Sequence, residues 1–219
     1  MSDKFIDVAL LYMPVHCRRD IKVQQICKYS MPSVELQPDA AIFINGKIYG
    51  NYCSKSAYGD FLVRCLTGMS HEFADVYFKF HPNEKIEDIV WQREIISKIS
   101  NVHIIERSVP VEDLIEQYPC SVAVSVLSSA LLSLSQRGVN PVFAFKLIKE
   151  LRGQDLFVLI SQVLDEMGYV FIKDFTGFAQ AGMLEMQRNN CIEQLPTLED
   201  VVLQFRDSKT IVGGLEVSQ

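Results

Sequence analysis

An α/β domain built on a doubly wound parallel sheet is predicted by three features of the sequence. Between residues 39 and 145, short apolar runs rich in β-branched residues alternate with helix-length amphipathic segments. Residues 121–145, SVAVSVLSSALLSLSQRGVNPVFAF, read as strand, polar turn, helix, glycine stop and strand, which is a βαβ unit. Two of the apolar runs end abruptly, at His81-Pro82 and at Ser128-Ser129, where strands of such a sheet hand over to the loops that bind ligands.

The elements follow in order. Residues 5–13 alternate towards a strand closed by Pro14, and residues 17–29 are predicted as a helix. Arg18, Arg19 and Lys22 near its start suit either a solvated face or an anion contact. Pro32 and Pro38 mark a connector. Residues 40–44 form a strand ending at Asn45-Gly46, a dipeptide that predicts a tight turn with residues 47–49 as a hairpin return. Residues 56–69 are helical, with Phe61, Leu62, Cys65 and Leu66 on one face, and DVYFKF (75–80) is a strand. A helix over 88–99, a strand over 102–105 and a short helix over 110–118 precede the βαβ unit. After it come a helix over 156–167, a strand over 169–172 and a last helix over 197–205.

Composition narrows the function classes. The 219 residues are 48% hydrophobic and 22% charged, as in an ordinary globular protein with a sizeable core. A net charge of −6 offers no broad basic field for nucleic acid or anionic membrane, so a polyanionic substrate would need a local basic pocket. The six cysteines show no CxxC spacing, which signals neither a zinc site nor a redox motif and fits a reducing cytoplasm. The first residues hold too short an apolar run for a transmembrane segment. Neither GxGxxG nor GxxxxGK[ST] occurs, so dinucleotide and P-loop chemistry are poor readings.

Candidate site residues cluster at the predicted strand ends. Pro82 fixes the backbone behind His81, and a histidine so held can serve as a general acid near neutral pH, or simply bond a loop. Lys79 shares the strand face of His81. With Ser128 and Ser129, these residues would cradle a phosphate, unless the serines only cap the following helix. Glu112 can take a ribose diol, or can be an ordinary acid in a first helical turn.

KFHPNE (79–84), PVEDL (110–114) and VSVLSSALL (124–132) resemble, in order and spacing, the HP, P-x-E and S-S/T elements of bacterial sialyltransferases and polysialyltransferases. The resemblance spans residues 39–146 and implies the C-terminal, donor-binding half of a two-Rossmann-domain (GT-B) enzyme using CMP-sialic acid. It implies that His81 donates to the departing CMP phosphate, that Ser128, Ser129 and Lys79 bind that phosphate, and that Glu112 holds the ribose. It also implies a glycan acceptor, surface polysaccharide or lipooligosaccharide synthesis, no metal or other cofactor, and a cytoplasmic location, soluble or peripheral at the inner membrane.

The implied organisation is an N-terminal strand, helix and connector (1–38), a Rossmann-like nucleotide-sugar-binding domain (39–206) and a tail (207–219). The family's acceptor-activating base lies in a triplet of two acids and a glycine, which this chain lacks. Thirty-eight residues are also too few for a second Rossmann domain, which takes on the order of 100 or more. A missing N-terminal domain or a partner chain would then supply the acceptor half. The alternatives are a non-catalytic nucleotide-binding scaffold, and a related transferase for Kdo or polyol phosphates, separable by donor choice among CDP, CMP and UDP compounds.

Overall fold

The computed structural model of the protein describes residues 8–11, 22–25, 35–106, 109–135, 137–166, 169 and 171–181. The helix expected over 197–205 and the tail lie outside these residues. There are two compact units, residues 31–190, and residues 1–30 with 191–219. In the smaller unit β1 (Val8–Leu11) pairs in parallel with β2 (Lys22–Gln25). The helix expected over 17–29 is therefore a strand at its centre, where Lys22-Val23-Gln24 alternates with the period of a strand.

The larger unit contains β3 (Ala40–Ile44), β4 (Asp75–Lys79), β5 (Val102–Ile105), β6 (Val122–Ser125) and β7 (Asn140–Phe143). They form one five-stranded, all-parallel sheet in the order β5-β4-β3-β6-β7. Chain order reverses at β3, so this is a Rossmann-like doubly wound sheet with its switch point between β3 and β6. β3, β6 and β7 are buried at every position, as strands covered on both faces must be. Pro141 is tolerated within β7 because that strand lies at the edge and need donate on one side only.

The crossovers are α1 (Lys55–Glu72), α2 (Ile86–Ile96), α3 (Val111–Leu114) and α4 (Ala130–Ser135), with α5 (Asp155–Glu166) following β7. α1 packs with α2, and α3 with α4, the pairing that right-handed crossovers in this strand order produce. Phe61, Leu62, Cys65, Leu66 and Met69 supply the buried stripe of α1, and Phe43 and Phe78 stack beneath it at 5.5 Å. Cys53, Cys65 and Cys120 are buried free thiols.

Two local expectations give way to non-local facts. Asn45-Gly46 does not open a hairpin: neither residue has the positive φ that such a turn requires, and both edges of β3 are taken, by β4 and β6. Among the described residues of the strand expected over 169–172, the pairing is a single parallel bridge between Phe143 and Phe171.

Gly68 sets how closely residues 175–178 approach α1. A Cβ there would stand 2.0 Å from the Phe175 carbonyl oxygen and 3.0 Å from the Phe178 ring. Glu72 draws in the same segment by accepting from the Gly177 and Ala179 N–H groups at 2.6 and 2.9 Å. Alanine normally gains about 1 kcal/mol over glycine inside a helix. Here Gly68→Ala is expected to lower stability by about 1–3 kcal/mol, because backbone must move. Denaturant unfolding checks the sign.

Candidate functional site at the sheet switch point

The carboxyl ends of β3, β4 and β6 enclose a cleft of about 380 Å³, a volume within the range of small-molecule sites. Lys79, His81 and Pro82 form one wall and Ser128 and Ala130 another, with Ile44 and Asn45 behind. Val109, Pro110 and Val111 add an apolar side. Gly46 lets the exits of β3 and β6 close around this space, since a Cβ on it would lie 3.3 Å from the Leu127 carbonyl oxygen.

His81 begins a four-residue turn, His81-Pro82-Asn83-Glu84, closed by Glu84 N–H donating to the His81 carbonyl at 3.1 Å. The Asn83 N–H donates to His81 Nδ1 at 3.2 Å. A backbone N–H can only donate, so the proton of the neutral imidazole sits on Nε2. The ring is thus set up as a hydrogen-bond donor through Nε2.

Lys79 is 7% exposed, yet its ammonium meets no acceptor among the described residues. Burial pulls its pKa below the usual lysine value. Ser128 is half-buried and its Oγ accepts from the Ala130 N–H at 3.2 Å, a local cap of the six-residue α4. Its hydroxyl proton has no acceptor among the described residues. Ser129 is exposed and does not line the cleft. Glu112 lies in α3, one residue after the cleft-lining Val111.

The switch point offers a second helix start, that of α1, and the protein fills it itself. Ser54 Oγ accepts from the Ala57 N–H at 3.2 Å and donates to Glu150 at 2.9 Å, while the Ser54 N–H donates to the same carboxylate at 2.5 Å. The position that holds a pyrophosphate in dinucleotide folds is here closed by an internal anion. An anionic ligand is left the β4–β6 side of the switch point. The cleft that carries the histidine is also not the largest pocket. One of about 470 Å³, floored by Phe145, Leu151, Phe157 and Ile172, has no histidine or carboxylate in its lining.

Behind the cleft lies a polar network that no local pattern of residues announces. Glu84 accepts from Tyr49 Oη at 2.5 Å, from Gln92 Nε2 at 2.9 Å and from Asn45 Nδ2. Asn45 also donates to Gln92 Oε1 at 2.9 Å and accepts from the Tyr58 hydroxyl. Burial and the Glu84 carboxylate push the Tyr49 pKa far up, and Tyr58 moves the same way, so both hydroxyls keep their protons.

Among the described residues no group of three or more His, Cys, Asp or Glu side chains converges as a metal site would need. No described helix is long and apolar enough to cross a membrane. No curated protein matches the chain. Residues 35–142, about half of the chain, match the model of the alpha-2,8-polysialyltransferase (POLYST) family. That span holds the sheet up to Val142 and every residue lining the cleft. Over that span the chain is therefore similar to the alpha-2,8-polysialyltransferase family, a likeness that supports a glycosyltransferase of the sialyltransferase type.

Proposed function

We propose that the cleft binds the phosphate of CMP-sialic acid and that the protein is the donor-binding part of a sialyltransferase of the GT-B C-terminal-domain type. The observation that carries this reading is Lys79, a largely covered lysine whose ammonium is not sealed from solvent and has no acceptor among the described residues, lining the same cleft as His81 and Ser128. An ammonium at the wall of a cleft, partly desolvated and without a counter-charge beside it, favours an anionic ligand there.

In the proposed reaction the bond between the anomeric carbon of sialic acid and the phosphate oxygen breaks. Its electron pair leaves with CMP while the sugar becomes oxocarbenium-like, and the acceptor hydroxyl adds to that carbon and loses its proton. His81 donates from Nε2 to the leaving phosphate, and Lys79 neutralises it. Ser128 and Ser129 supply hydroxyls to the same phosphate, Ser129 after a turn towards the ligand. One preorganised donor at such a charge is worth about 10²–10³-fold in rate. Glu112 holds the ribose. The reaction requires no metal, and the acceptor base is not assigned to any residue of this chain. In this reading the glycan acceptor belongs to surface polysaccharide or lipooligosaccharide, elongated on the cytoplasmic side at the inner membrane.

The test is calorimetric titration with CMP and CMP-sialic acid, beside an assay of CMP release with and without sialylated glycan acceptors. Binding of both and release of CMP from the donor are expected. Binding of CMP without turnover would make the domain a scaffold. Preference for CDP- or UDP-linked compounds would move it to another transferase class.

A further inference from the structure

We propose that Glu84 is a positioning residue: its carboxylate locks the turn that carries His81 and thereby fixes the imidazole with its proton on Nε2. The kinetic part of this inference rests on the CMP-sialic acid reading; the tautomer part does not.

Glu84 closes the turn from its fourth position, its N–H on the His81 carbonyl at 3.1 Å. Its carboxylate is held by donors from three separate pieces of the fold. Asn45 comes from the exit of β3, Tyr49 from the loop before α1, and Gln92 from the middle of α2. Asn45 and Gln92 are almost wholly buried, at 1% and 0% exposure, so the anchors cannot follow a moving turn. Lys47 adds a tie by donating to the Asn83 carbonyl at 3.0 Å. The turn therefore holds the Asn83 N–H within 3.2 Å of His81 Nδ1, the contact that selects the tautomer. Stability alone does not ask for a carboxylate at this place, because buried polar clusters are often replaced by apolar side chains without loss. What a charged, many-bonded anchor adds is direction, and a misplacement of about 1 Å at a reacting group can cost about 10²-fold.

The experiment compares wild type with Glu84→Ala, Tyr49→Phe, His81→Ala and the double variant His81→Ala/Glu84→Ala. Long-range ¹H–¹⁵N correlation of the histidine rings, assigned by loss of the His81 signals in His81→Ala, reads the tautomer without any need for turnover. Wild type is expected to show the Nε2–H form alone, and Glu84→Ala a mixture of both forms. Steady-state kinetics with CMP-sialic acid are expected to show kcat down about 30–100-fold in Glu84→Ala, with KM within about threefold. The double variant is expected to be no slower than His81→Ala, because Glu84 acts only through that ring.

Tyr49→Phe removes one of the three anchoring donors but keeps the ring that packs on Tyr58 and Trp91. It is expected to shift tautomer and kcat in the same sense by a smaller factor, and it decides the matter if Glu84→Ala does not fold. An unchanged tautomer in the folded variants overturns the inference. So does a rise in KM at constant kcat, or a loss in the double variant that multiplies the single ones. A wild type that never turns over CMP-sialic acid defeats the transferase reading instead, while the tautomer measurement still judges Glu84.

Discussion

Replacing His81 by alanine is expected to slow cleavage of CMP-sialic acid by about 10²–10⁴-fold while the protein keeps its fold. The imidazole is partly exposed, and among the described residues its one hydrogen bond is the local contact between Nδ1 and the Asn83 N–H. The bond that closes the turn uses the His81 backbone carbonyl, which alanine retains. Unfolding curves should therefore nearly coincide with wild type, and KM for the donor should change far less than kcat. His81→Gln refines the test, because its amide can place an N–H near the Nε2 position but cannot give up a proton. Substantial rate in His81→Gln would mean that a hydrogen bond to the phosphate is enough; loss equal to alanine would mean that the amide cannot take the place of the imidazole N–H. A fully active His81→Ala protein would remove this residue from the mechanism.

The parts of this site legible in the sequence are those written by local patterning. β3 and β5 were readable to the residue because short β-branched runs between polar breaks have few other solutions. Their order in a doubly wound sheet followed from alternation with helices, and the strand ends pointed to His81 and Ser128. What stayed hidden depends on distant partners. Glu84 is only the last letter of KFHPNE until Asn45 and Tyr49, 39 and 35 residues earlier, are seen to grip it. Glu150, 96 residues after Ser54, fills the α1 start, and no capping pattern announces it. Asn45-Gly46 carries a turn signal that the fold overrules, since a β3 paired on both sides has no edge left for a return strand. Ser128 lines the cleft while its exposed neighbour Ser129 does not, and the sequence does not say which of the two adjacent serines will.

Lys79→Met is expected to make the protein more stable and less able to bind CMP. Methionine fills a similar volume without a charge, so removal of an ammonium that its surroundings partly desolvate should raise stability modestly, by about 1 kcal/mol or less. The same change deletes a charge-assisted contact to the phosphate, worth about 1.5–3 kcal/mol or roughly 10–150-fold in affinity. The pH dependence supplies a second signature. Burial lowers the folded-state pKa of Lys79, whereas the unfolded chain titrates near the usual value of about 10.4. Between the two the unfolded state binds the extra proton, so the stability penalty is full below the folded pKa and is relieved as pH rises through that window. CMP affinity has the opposite slope, because only the ammonium binds phosphate and it is lost as pH rises through the lowered pKa. Lys79→Met should flatten both dependences, read by chemical unfolding and by CMP titration across the alkaline range. A lysine placed only for structure would show the reverse pattern: its loss would cost stability and leave nucleotide binding unchanged.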